Sequence, residues 1–302
     1  MKKHFRSIAV GLVAATMTLG MAPMSGAAAE YDSIVLNIGA DDTQRNLVWY
    51  STATEGQVVS VQEKGNAASA KIVAPVKSKA ANKAGFTAHQ ATLEGLKAST
   101  TYEYKVGSEA DGWSATYEFK TAGDDSFQFL AYGDPQMGSG GGIPTDAGAW
   151  QNNLQVSLAE YPNADFLMSL GDQVNTAGSE SEYTEFLAPD ELRTNALSTN
   201  IGNHDNGSDS YGQHFFMPNT STTAGISSDR EGLGNFWYEF NDTLFLSFNS
   251  NNRDDAAHFE WAKQVIAEHG QGTNWQIASM HHGPYSTASH THDGDIIERR
   301  AT

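Results

Sequence analysis

Gly202-Asn203-His204-Asp205 sets an amide oxygen, an imidazole and a carboxylate on three consecutive positions. Before it stand Gly133-Asp134 and Gly171-Asp172, and after it a run His281-His282-Gly283-Pro284-Tyr285. From Asp134 to Asp172, Asn203 and His281 the gaps are 38, 31 and 78 residues. Each group follows an apolar stretch of strand type, at 127–132, 165–170, 197–201 and 275–280, so oxygen and nitrogen donors recur at strand ends.

Such donors suit phosphate ester hydrolysis. The anionic ester oxygens repel a nucleophile, and neutral water is a poor one. Two cations about 3.5–4 Å apart answer both problems by holding the phosphoryl oxygens and supplying a bound hydroxide. Asp172 is suited to bridge them, Asp134 to bind one, and Asn203 to bind the other through its amide oxygen, with His281 completing part of that second cation's coordination. His204 would face the phosphoryl group and donate a proton or hydrogen bond, and Asp205 would orient its ring. Singly these signals are weak, because Gly, Asn and Asp also make ordinary turns. The ordered set carries the specificity.

The positioning elements fall in two parts. Residues 31–122 read as all-β, with alternating strands at 47–50, 101–106 and 116–120. The stretch 93–102 resembles the corner of fibronectin type III sandwiches in which a Tyr hydroxyl, here Tyr102, fixes a turn. Segment 64–83 is ambiguous and could hold a long loop. After a linker at 121–125, strands alternate with helical stretches, one containing Ala147, Trp150, Leu154, Leu158 and Tyr161, another at 255–269. That alternation predicts an α/β domain whose ligands gather beyond the strand ends. Residues 138–142 read as a flexible glycine loop, since they lack the Lys and Ser/Thr of a phosphate-cradling one.

On these motifs the chain resembles the calcineurin-like metallophosphoesterases, within them the purple acid phosphatase-like branch with its N-terminal fibronectin-like domain. The resemblance implies a β-sandwich at 31–122 and a mixed, helix-flanked phosphoesterase domain at 124–302. It assigns Asp134, Asp172, Asn203 and His281 as ligands of two metal ions, His204 as the substrate-contacting histidine, and His290 as a second phosphate-contacting candidate. His282 stands as the alternative to His281.

The pattern departs from the family at three places. Gln136 occupies a position where many members have His, and Asn175 the place of the purple enzymes' Tyr. Both are neutral oxygen donors and remain candidate ligands, while tyrosinate colour is not expected. Fe, Mn, Zn, Mg and Ca all stay open as the metal, with oxygen-rich coordination suiting Mn²⁺, Mg²⁺ or Ca²⁺. Third, no later Gly-His-x-His loop follows, and Ser289-His290-Thr291-His292 comes too soon after His281 to replace it. The resemblance therefore implies a phosphoesterase domain incomplete at its C-terminus.

The chain of 302 residues carries 18 Lys and Arg against 36 Asp and Glu, a net charge of −18. Within residues 123–302 the balance is 6 against 25, whereas 31–122 holds 9 against 10. An acidic domain of this kind disfavours nucleic acid as a partner, and it draws cations. Absence of Cys excludes thiolate ligands and a cysteine nucleophile. Lys2, Lys3 and Arg6 precede a mostly apolar stretch at 8–21 and Ala27-Ala28-Ala29, so 1–29 reads as a secretory signal peptide.

These readings give the expected protein: a secreted or cell-surface acid phosphatase-like hydrolase acting on a small phosphorylated substrate, most simply a monoester. A phosphodiesterase or nucleotidase of the same fold and a non-catalytic binding protein with a degenerate site are the alternatives. His89, His258 and His269 are expected to be solvated or to pack, and His214 to line a cleft or pack.

Overall fold

The computed structural model describes residues 28–123, 126–285, 292–298 and 300. The expected leader at 1–29 lies almost wholly outside them, and His290 lies outside them as well.

Nine strands form the first part. They are β1 (Tyr31–Ile38), β2 (Arg45–Ser51), β3 (Val58–Glu63), β4 (Lys71–Val73), β5 (Lys77–Ala80), β6 (Thr87–Leu93), β7 (Thr101–Ser108), β8 (Gly112–Trp113) and β9 (Tyr117–Lys120). One sheet runs β1-β2-β6-β5 and the other β4-β3-β7-β8, with β9 also on β7. Along β7, Tyr102, Tyr104 and Val106 point inward and the residues between them are half-exposed, the alternation of a strand with one buried face. The Tyr102 hydroxyl accepts the Lys97 N–H at 2.8 Å and so fixes the expected corner. The ambiguous stretch resolves into a short 3-10 turn, Ala67–Ser69, and the two brief strands β4 and β5. Both carry Lys at the sheet edges, where charge discourages further strand pairing.

The second part holds β10 (Phe129–Tyr132), α1 (Ile143–Glu160), β11 (Phe166–Ser169), α2 (Glu180–Phe186), α3 (Glu191–Thr194) and β12 (Ala196–Thr199). After them come α4 (Ser210–His214), β13 (Phe236–Phe240), β14 (Thr243–Phe248), α5 (Asp255–His269), β15 (Trp275–Met280) and α6 (Gly294–Glu298). Strands β10, β11 and β12 are parallel, with Phe129 beside Phe166 and Phe166 beside Ala196. A second sheet, β13-β14-β15, meets them through aromatic side chains. Phe129 stacks on Phe166 at 5.1 Å, and the Phe245 ring meets Phe166 edge-on at 5.6 Å. Burying the Phe166 and Phe245 rings contributes about 2–3 kcal/mol each. On the far face, Leu244 and Leu246 of β14 pack against Val265 of α5, with Trp261 and Ile266 beside them. The Asp254 carboxylate accepts the Ala257 N–H at 3.0 Å, capping that helix.

The two parts share one sheet. Strand β1 pairs in parallel with β12, Asn37 opposite Leu197, so seven strands run in the order β10-β11-β12-β1-β2-β6-β5. Asn37 locks the junction: its amide donates to the Leu197 carbonyl at 3.2 Å and its side-chain oxygen accepts the Phe216 N–H at 3.1 Å. No helix among the described residues is long and apolar enough to cross a membrane.

Three histidines occupy defined places. His89 is buried beside Trp49, ring centroids 5.1 Å apart. His258, on α5, packs: it is 8% exposed and meets the Asn235 amide at 2.9 Å. His269 stacks on Trp237 at 3.9 Å.

Candidate metal centre

Strands β10, β11 and β12 end side by side, and the loops that follow them carry Asp134, Asp172 and Asn203. His281 arrives directly after β15. One side-chain donor atom from each of Asp134, Asp172 and His281 lies within 4.8 Å of the others. His281 Nε2 is 3.1 Å from the Asn203 amide oxygen and 3.5 Å from Asp172 Oδ2. Four of the expected ligands are thus brought together.

The local backbone shows why these residue types are needed. Asp134 and Asp172 adopt φ of 48° and 52°, left-handed values that cost a side-chain-bearing residue about 1 kcal/mol and that Asp tolerates better than most. Gly171 has φ 107°, and a Cβ there would lie 2.4 Å from His281 Nδ1. A Cβ on Gly202 would lie 2.0 Å from Asp172 Oδ1. In both motifs the glycine leaves room for the ligand from another strand.

His281 Nδ1 lies 3.0 Å from the Leu170 carbonyl, which accepts its proton. Nε2 is thereby turned toward Asp172 and Asn203, and holding one ring nitrogen on a carbonyl is how a metal-ligating imidazole is commonly oriented. Burial opposes the charge on His281, but Asp172 and the Leu170 carbonyl outweigh it and raise its pKa. Burial likewise opposes the Asp172 carboxylate, yet its bonds from His281 and the His204 amide hold it below its ordinary value. Asp134, at the rim, is pushed upward by the partial burial of its carboxyl and by the Asp172 charge, against His281. Carboxylates, an amide oxygen and an imidazole converging in this way make a donor set that fits a divalent cation.

His282 turns away and meets the Ser250 hydroxyl at 2.8 Å. Strand periodicity explains the difference between the two neighbours. Met280, beside Phe248, lies on the α5 face with Leu246 and Leu244, and Ile277 packs into the main core. Four residues after Ile277, His281 falls on the inner face.

His204 donates its backbone N–H to Asp172 Oδ1 at 2.9 Å, and its Nδ1 donates to the Asn175 carbonyl at 2.7 Å. Asp205 does not orient that ring, as had been expected. Its fully buried carboxylate instead accepts the backbone N–H groups of Asp172 at 2.8 Å, Gln173 at 3.0 Å, Gly202 at 2.8 Å and Val174 at 3.4 Å. It ties the second and third motif loops together. Burial pushes its pKa up to about 7, with the Gly202 bond opposing and the Asp172 charge adding.

Gln136 and Asn175 meet each other, the Gln136 amide donating to the Asn175 side-chain oxygen at 3.4 Å. The expected flexible glycine loop is held by Asp146, whose carboxylate accepts the N–H groups of Gly138, Gly140 and Gly141 at 3.0, 3.1 and 3.2 Å. His214 lines no open cleft, being fully buried in an aromatic stack.

Residues 127–301 match the family model of the calcineurin-like phosphoesterases. The chain belongs to that family. In this calcineurin-like phosphoesterase, residues 31–121 match the N-terminal domain of purple acid phosphatases, which sets it in the purple acid phosphatase-like branch. The purple acid phosphatase PPD1 from yellow lupin (Lupinus luteus) seeds shares its fold, with 17% identity and a TM-score of 0.66. The likeness covers 87% of this phosphoesterase and 53% of the lupin chain, so it spans about half of that protein's length. The sensor domain of the anti-sigma factor RsgI4 in Pseudobacteroides cellulosolvens is 24% identical over 32% of this chain and 93% of its own, with a TM-score of 0.25. Comparison with curated proteins gave no match.

Proposed function

We propose that this protein is an exported, metal-dependent phosphoesterase that hydrolyses small phosphomonoesters at a dinuclear centre. The observation that carries the reading is the convergence of Asp134, Asp172 and His281 at the ends of neighbouring strands, with Asn203 against His281. Those four residues would hold the cations, with Gln136 and Asn175 at the rim. Bound there, Mn, Zn, Fe, Mg or Ca ions would neutralise phosphoryl oxygens and lower the pKa of coordinated water.

The protein's own groups do the rest. Asp172 holds the His204 main chain through Oδ1, and Asn175 keeps the His204 proton on Nδ1. His204 Nε2 is left to contact a phosphoryl oxygen and, once protonated, to pass that proton to the leaving oxygen. The surrounding acidity repels a phosphate anion, so substrate binding depends on cations at this corner. Monoester preference follows the purple acid phosphatase-like branch, and export follows the basic, apolar and small-residue order of positions 1–29. The Gln136–Asn175 bond favours a second reading, a binding protein whose first metal position is weakened.

Metal analysis of the purified protein and release of p-nitrophenol from mono- and bis-p-nitrophenyl phosphate test the proposal. Two ions per chain, faster turnover of the monoester and loss of activity in Asn203→Ala are expected. A metal-free protein, or a rate unchanged by that substitution, overturns it.

A further inference from the structure

We propose that Glu182 is a positioning residue for His204 and acts through a single peptide plane. Its Oε2 accepts the Thr176 N–H at 2.7 Å. The carbonyl of that same peptide unit belongs to Asn175 and accepts His204 Nδ1–H at 2.7 Å. A trans peptide is planar, with its N–H and C=O pointing in opposite directions. Anchoring the N–H therefore aims the carbonyl. Glu182 also takes the Asn175 N–H at 2.9 Å, a proton shared with the Met137 carbonyl at 2.9 Å.

Glu182 is 7% exposed, and a carboxylate in so buried a residue requires such partners. It also polarises the peptide, which strengthens the carbonyl as an acceptor. If the 175–176 peptide turned over, the Thr176 N–H would face His204 and select the opposite tautomer, with Nδ1 as acceptor and the proton on Nε2. Glu182 holds the plane against that inversion. It thereby decides whether the Nε2 of neutral His204 that faces a substrate carries a lone pair or a proton.

The catalytic consequence rests on the phosphoesterase reading, whereas the tautomer does not. Nitrogen-15 NMR of the full chain, with and without Zn²⁺ and above the pH at which histidine titrates, reads the tautomer directly, with His204→Gln assigning the signal. The wild type is expected to carry its proton on Nδ1. In Glu182→Ala and in Glu182→Asp, which keeps the charge but withdraws it from Thr176, an Nε2–H signal should appear. In both, kcat should fall about tenfold with KM little changed. Glu182→Gln retains an acceptor oxygen and should keep the wild-type tautomer.

A wild-type signature in Glu182→Asp overturns the proposal, and this variant decides where Glu182→Ala does not fold. Inversion as complete in Glu182→Gln as in Glu182→Asp also overturns it. If the wild type hydrolyses no phosphate ester, the functional reading falls while the NMR result still decides the role of Glu182.

Discussion

Two carboxylate–histidine pairs in this molecule have opposite surroundings. Asp172 and His281 lie 3.5 Å apart, and the other potential ligands converge on them from separate strand ends. Glu180 and His214 lie closer, at 2.9 Å. Yet His214 is stacked between Tyr50 at 4.6 Å and Tyr183 at 4.4 Å, and Glu180 is further occupied by the Ser210 hydroxyl at 2.7 Å. The first pair is framed by acceptors and the second by rings. A close acid–imidazole contact therefore does not define a candidate site; several donor atoms from separate strand ends facing a common point do.

Breaking the first pair should have the largest effect. Asp172→Ala is expected to lower phosphatase turnover about a thousandfold and to strip metal from the protein, as steady-state rates and metal analysis would record. Glu180→Ala should leave the metal content unchanged.

The second pair should respond in stability. His214→Ala opens a gap between Tyr50 and Tyr183 and is expected to cost about 3 kcal/mol, read as a lower denaturation midpoint with KM preserved. A smaller change sharpens the contrast from the other side. Gly171→Ala pushes on His281 Nδ1 and should weaken metal binding about tenfold, measured by competition with a chelator.

The mildest test is acid. Burial raises the Glu180 pKa, but the His214 bond and charge outweigh burial and hold it below its ordinary value of 4.5. Its contribution is therefore fully present above pH 4.5 and is lost as the pH falls through the lower folded value. His214→Ala should flatten that part of a stability profile measured by denaturant melts. A profile identical to wild type would show that the pair contributes nothing to acid sensitivity.

Much of the first pair could be read in the sequence. Apolar runs followed by Gly-Asp or Gly-Asn-His mark both the strand and the candidate ligand it delivers, so the clustering of Asp134, Asp172, Asn203 and His281 was legible. Period-two counting from Ile277 would also have separated His281 from His282. Asp205 was legible only as a reactive-looking neighbour of His204, because its partners are backbone N–H groups whose convergence depends on tertiary structure. Glu182 offered no motif at all. Its role depends on a peptide six residues upstream turning one particular way. The junction of β1 with β12 was equally hidden: one residue pair, Asn37 with Leu197, joins segments 160 positions apart, and no local periodicity encodes it.

That junction has a practical consequence for dissecting the protein. Strand β1 covers the side of β12 away from β11, so production of residues 124–302 alone would bare the β12 edge at Leu197, close in sequence to the Gly202-Asn203 turn. An uncovered strand edge invites pairing with another chain. The isolated C-terminal half should therefore self-associate, and supplying residues 31–122 as a separate polypeptide should restore its solubility.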